Sequence, residues 1–149
     1  MSCIMQTLSL KVVKETSHKY DFNKKATCPE DVYKLIEKVT DLSNAAEEKL
    51  YMICFDTKSV ATGIFLVSMG TVNSSIVHPR EVYKRALITN AVSIIIVHNH
   101  PSGETSPSKE DIDITKRLAE CGEILGIELL DHLIVGSNGY TSLKAKGIL

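Results

Sequence analysis

The run Ser93–Val97 (SIIIV) is nearly all apolar and β-branched, and it is only five residues long. Such a segment needs cover on both faces, so it reads as a strand of the fully buried kind, inside a sheet that carries helices. The flanking residues agree. After it comes a polar loop rich in Pro, Ser and Gly, then an amphipathic helix from Pro107 to Leu125 that Gly126 ends, then the strand IELLDHLIVG (127–136). Upstream, Thr27 with Glu30 three residues later and Pro29 in the first turn marks a helix start, and Val32, Leu35, Ile36 and Val39 follow at helical spacing. LYMICFD (50–56) is rich in β-formers and turns at Asp56–Lys58 into its antiparallel partner Val60–Ser68, which Gly70 ends. A further helix opens at Pro79 and runs through Ala91. Leu8–Val13 is expected to be a strand and Thr16–Lys25 a polar connector. Strands interleaved with helices predict an α/β domain, a single mixed sheet with flanking helices, over 27–149, preceded by an extension of unassigned role, 1–26.

At 149 residues the chain closes one core and is too short for two full-sized domains. Lys and Arg number 17 against 18 Asp and Glu, a formal net charge of -1, so no general attraction draws it to nucleic acid and tight binding there is not expected. Its apolar stretches fall far short of the roughly 20 residues that cross a bilayer, so no membrane is expected as partner. MSCIMQTLSLKVVKE lacks a basic start and a long apolar core, so a cytoplasmic protein is expected. Cys3, Cys28, Cys54 and Cys121 form no CxxC pair and are expected to be reduced, with Cys54 and Cys121 as small core residues.

Chemistry concentrates in HNHPSGETSPSKED (98–111), which begins where a buried strand ends and finishes in a helix's first turn. His98 and His100 are two apart, so an extended backbone points both imidazoles to one side. Asp111, carried by the next helix, can return to the same point. Two imidazoles and a carboxylate with a fourth position open is the pattern of a catalytic zinc. Plainer readings compete. Two histidines near a strand end are more often loop residues than ligands. Ser108-x-x-Asp111 is by itself a capping box, and Pro101, Ser102 and Gly103 suit a turn. The conjunction of HxHP, a spacer and SxxD between strand and helix favours the metal. The contiguous letters HNH do not indicate the nucleases of that name, whose residues are dispersed through a ββα element.

HxHP followed by SxxD resembles the JAMM motif of the MPN+ metalloproteases. GTVNSSIVHPREVYKRAL, HNHPSGETSPSKEDIDITKRL and LGIELLDHLIVG together resemble the RadC family, over about Thr27 to Leu143. The resemblance implies a three-layer fold like that of MPN domains and cytidine deaminases. It also implies one zinc (Zn2+) on His98, His100 and Asp111, and a Glu before a strand that activates water. Glu48, just ahead of LYMICFD, fits that Glu; Glu47 is its neighbour and Glu81 the second choice. Ser108 would donate to an oxyanion, and Asn99 and Ser102 would shape the loop. Asp131-His132 is a candidate supporting pair, weighed against a structural histidine, the commoner outcome on an apolar strand. The expected activity is zinc-dependent hydrolysis of an amide or isopeptide bond in a peptide or protein. The alternative is a catalytically idle zinc domain with a binding role in DNA repair or recombination. Longer family members carry a helix-hairpin-helix region with no counterpart in these residues, so DNA contact through it is not expected. Zinc nucleobase deaminases are excluded because they need HxE and PCxxC. The oligomeric state, a homo-oligomer included, stays open.

Overall fold

The computed structural model describes residues 9–18, 28–70 and 77–149. Five strands, β1 (Lys49–Phe55), β2 (Ala61–Met69), β3 (Ser93–Asn99), β4 (Glu128–Gly136) and β5 (Gly139–Ser142), form one mixed sheet in the order β2-β1-β3-β4-β5. β3 and β4 are parallel, while the other neighbours are antiparallel. The parallel pair is joined through α3 (Lys109–Leu125), and β3 is buried at every residue, as its apolar run requires. α1 (Pro29–Thr40) covers one face of the sheet; α2 (Pro79–Ile88) and α3 cover the other.

Alternation along β3 divides the core in two. Ile94 and Ile96 face α2 and α3, meeting Val82, Ala86, Ile114 and Leu118. Ile95 and Val97 face α1, meeting Val32, Leu35, Ile36 and Phe55. The same period sends His98 toward the α3 side and Asn99 toward the α1 side, so the strand's end serves two purposes at once.

Three expectations need correction, and one element was missed. Ser9–Val13 form no strand, and Leu8 lies outside the described residues. Leu10 and Val13 are 81% and 79% exposed, so no sheet neighbour or core offsets the ordering of that run. The cap of α1 is Cys28, with Pro29 first in the helix; Thr27 lies outside the described residues. α2 stops at Ile88 rather than running to Ala91, because Asn90 takes a left-handed φ of 53° and Ala91 N donates back to the Ala86 carbonyl. β5, only GYTS, was not anticipated: four residues are too few to show a period. Cys28, Cys54 and Cys121 are free, Cys54 is buried, and Cys3 lies outside the described residues. Among the described residues no helix is long and apolar enough to cross a membrane.

Candidate metal centre

β3 delivers His98 at its last buried positions, and His100 follows just past the strand's end. His100 N donates to the Val135 carbonyl (2.9 Å) and Gly103 N to the His100 carbonyl (2.9 Å), which folds the loop back over the end of β4. That close approach needs glycine at 136, where any Cβ would collide with the Gly103 carbonyl. Ser108 then caps α3. Its Oγ accepts from Asp111 N (3.1 Å), while Ser108 N and the Ser108 hydroxyl donate to Asp111 Oδ2 (2.8 and 2.6 Å). This cap turns the Asp111 carboxylate back toward the strand end, where Oδ1 is 3.2 Å from His98 Nε2 and Oδ2 is 3.4 Å from His100 Nε2. The two Nε2 atoms are 2.9 Å apart.

Glu48 comes from the segment ahead of β1, and Asn99 holds that segment in place. Its Oδ1 accepts from Lys49 N (2.8 Å), and its Nδ2 donates to the carbonyls of Glu47 (3.1 Å) and Ala45 (3.2 Å). Gly70 N donates to the Glu48 carbonyl (2.9 Å). Backbone on both sides of Glu48 is thereby fixed, Glu47 is left exposed, and Glu48 places a carboxylate oxygen with His98 and His100 so that all three ligand atoms lie within 4.8 Å of one another.

The chemistry of these donors fits a divalent cation. His100 Nδ1 lies 2.8 Å from the Glu104 carbonyl, which can only accept, so the ring's proton sits there and Nε2 presents a lone pair. That lone pair and the Asp111 carboxylate meet at hydrogen-bond range with His98 Nε2, and a cation among them would satisfy these acceptors. Burial would raise the Asp111 carboxyl, but its contacts with His100, His98 and Ser108 outweigh that and hold it far below the usual carboxylate range. The Asp111 contact, opposed by burial, raises His100 in turn. His98, His100 and Asp111 would supply three ligands of the nitrogen and oxygen types zinc takes, with Glu48 beside them.

His98, His100, Asp111 and Glu48 are thus brought together, with Ser108 behind Asp111. Glu81 is not among them: it sits on α2 in ion pairs with Lys84 and Arg85 (3.4 Å to the latter). Asp131 and His132 do not act as a pair. Asp131 accepts from Ser142 Oγ (2.6 Å) and Lys144 N (3.0 Å), tying the chain beyond β5 to β4, whereas His132 Nε2 lies 2.7 Å from His98 Nδ1. Asn99 clamps the Glu48 segment rather than shaping its own loop, and Thr115, at the back of His132, carried no sequence signal. Strict alternation from Leu129, which faces α2 and α3, puts His132 on the opposite side of the sheet. An irregularity in the β3–β4 register, where Ile94 pairs with Leu129 but Ile95 with Asp131, reverses that parity.

The family described as the RadC-like JAB domain matches residues 26–148. The chain belongs to that family. Relatives of this RadC-like domain include UPF0758 proteins of Clostridium botulinum (strain Hall), 51% identical over 125 residues, and of Desulforamulus reducens, 50% identical over 122 residues. These alignments cover 84% and 82% of this chain but 54% and 53% of the relatives, so the chain spans about half the length of the curated proteins it matches.

Proposed function

We propose that this RadC-like domain is a zinc-dependent hydrolase that cleaves an amide or isopeptide bond in a peptide or protein. The observation that carries the reading is the convergence of Asp111 on His98 and His100, with Glu48 grouped with the same two histidines. Those three residues would hold the zinc. Bound there, zinc lowers the pKa of a water to about 7 and polarises a substrate carbonyl. Glu48 takes a proton from the attacking water and hands it to the leaving amine, the work of a general base that then serves as acid. Ser108 shares its proton with Asp111 Oδ2 while the site is at rest, and donates to the oxyanion as negative charge builds on the substrate oxygen. Asn99 keeps Glu48 in place by gripping the backbone on either side of it.

The test is elemental analysis of protein purified without added metal, together with a cleavage panel of peptides and ubiquitin-like fusions. About one zinc per chain is expected, lost in the His98→Ala/His100→Ala double variant, with cleavage of at least one amide substrate. Zinc retained by the double variant would refute the ligand set. Zinc without any cleavage would favour the idle domain with a binding role in DNA repair or recombination.

A further inference from the structure

His132 and Thr115 lie behind His98, and the chemistry above makes no use of them. Both are buried, at 1% and 0% exposure. His132 Nε2 is 2.7 Å from His98 Nδ1, His132 Nδ1 is 2.6 Å from Thr115 Oγ1, and the Thr115 hydroxyl donates to the Asp111 backbone carbonyl at 2.5 Å.

The far end of this chain fixes the direction of every bond in it. A carbonyl oxygen only accepts, so the single hydroxyl proton of Thr115 goes to Asp111. Toward His132, Thr115 Oγ1 can then only accept, which places a proton on His132 Nδ1. The ring is buried and its two nitrogens meet only a hydroxyl and another imidazole, with no carboxylate among these partners to offset a charge, so it is neutral and carries that proton and no second one. Its Nε2 is therefore a lone pair and accepts from His98 Nδ1–H. With its proton on Nδ1, His98 has its own lone pair on Nε2, the atom that faces His100 and Asp111.

We propose that Thr115 and His132 are positioning residues that lock His98 in the Nδ1–H tautomer and fix its ring, so that Nε2 is presented as a ligand before any metal arrives. The proposal deepens the metal-site reading and rests on it for its purpose. A free neutral histidine in water favours the other tautomer, with the proton on the very nitrogen the site needs bare. Partners on the remote nitrogen of a metal-bound histidine have this effect generally, and their removal lowers metal affinity by about 10–100-fold. Here the partner chain starts on the backbone of one proposed ligand and ends on the ring of another. The first turn of α3 and the end of β3 are thereby registered through a side chain of β4.

Long-range 1H–15N spectra of the histidine rings of the full chain, metal-free and zinc-loaded, test this directly, beside zinc competition against a chromophoric chelator. The expected spectrum shows His98 and His132 both protonated at Nδ1. Thr115→Val, nearly isosteric, should bind zinc about 10–100-fold more weakly and lose the fixed His98 tautomer, and Thr115→Ser should restore both. Protonation of His98 at Nε2 in the wild-type protein, or Thr115→Val binding zinc as tightly as wild type, would overturn the proposal. Should Thr115→Val not fold, the wild-type spectrum decides alone. Nδ1–H signals in a wild-type protein that takes up no zinc would uphold the tautomer lock and remove the metal reading instead.

Discussion

Glu48 is the residue on which the proposed chemistry turns, and its two conceivable roles separate cleanly. As general base it is no ligand, so Glu48→Gln should keep the zinc and the fold, being nearly isosteric, yet lose roughly 10²–10⁴-fold in hydrolysis. As a ligand it would take the zinc with it, and metal analysis of the variant tells the two apart. Glu81→Gln is the matched control: its partners are Lys84 and Arg85 on its own helix, so hydrolysis should stay near wild type. Loss of activity there alone would move the base to Glu81. At this scale the readable residues were those whose geometry follows from local rules. A two-residue spacing on a strand end places His98 beside His100, and a capping box swings Asp111 back toward them. His132 was read only as half of a supporting pair with Asp131; its contact with His98 was hidden because one register irregularity in β4 changes its face, and such irregularities leave no mark in an apolar run.

The helices on the α2/α3 side are joined by one buried polar tie, and it carries a pH signature. Tyr83 of α2 donates its hydroxyl to the Leu118 carbonyl of α3 at 2.7 Å. Gly122 makes room, since a Cβ there would meet the Tyr83 hydroxyl oxygen at 2.6 Å. Burial, with a smaller contribution from Cys121, pushes the Tyr83 phenol up to about 12. Between the ordinary phenol value of about 10 and that figure, the unfolded chain gives up the proton while the folded one keeps it. The folded state then binds more protons, so stability falls as pH rises, by at most about 1.4 kcal/mol per unit from this group. The contribution is complete below pH 10 and fades above it. Tyr83→Phe should cost about 1 kcal/mol at pH 8, where the Leu118 carbonyl loses its donor, and should unfold less steeply than wild type between pH 10 and 11. Urea titrations at the three pH values measure both, and an equal alkaline slope in the two proteins would refute the assignment. Element positions were legible where the run itself is distinctive: the β-formers of β1, the continuous apolar stretch of β3 and the helical spacing of α1. They failed where the decisive contact is tertiary: Leu10 and Val13 lack a neighbour to complete a strand, and β5 exists because β4 offers it an edge.

Across the whole molecule, stability and the metal centre occupy different places. Together the two hydrophobic clusters draw on every long element, α1 on one face of the sheet and α2 and α3 on the other. The site sits at one end of β3, beyond the last core residues Ile96 and Val97. In small zinc folds the metal substitutes for a missing core and the chain unfolds without it. This chain has its core already, so the candidate metal centre is carried by a fold that does not depend on it for a core. The fold class was legible for the same reason: the apolar runs that build the two clusters are strong, periodic signals, independent of the chemistry at their ends. Chelation should therefore lower the melting temperature without abolishing the transition. If the domain binds zinc with free metal near 1,000 times the dissociation constant, the linkage is about 4 kcal/mol. At roughly 2–4 °C per kcal/mol for a chain of this size, the shift is about 8–16 °C. Calorimetry with and without EDTA should show one cooperative transition in both cases, with unchanged far-ultraviolet circular dichroism before melting. Loss of the cooperative transition on chelation would make the site structural, and a structural site whose ligands the fold needs would leave no open position for water or substrate.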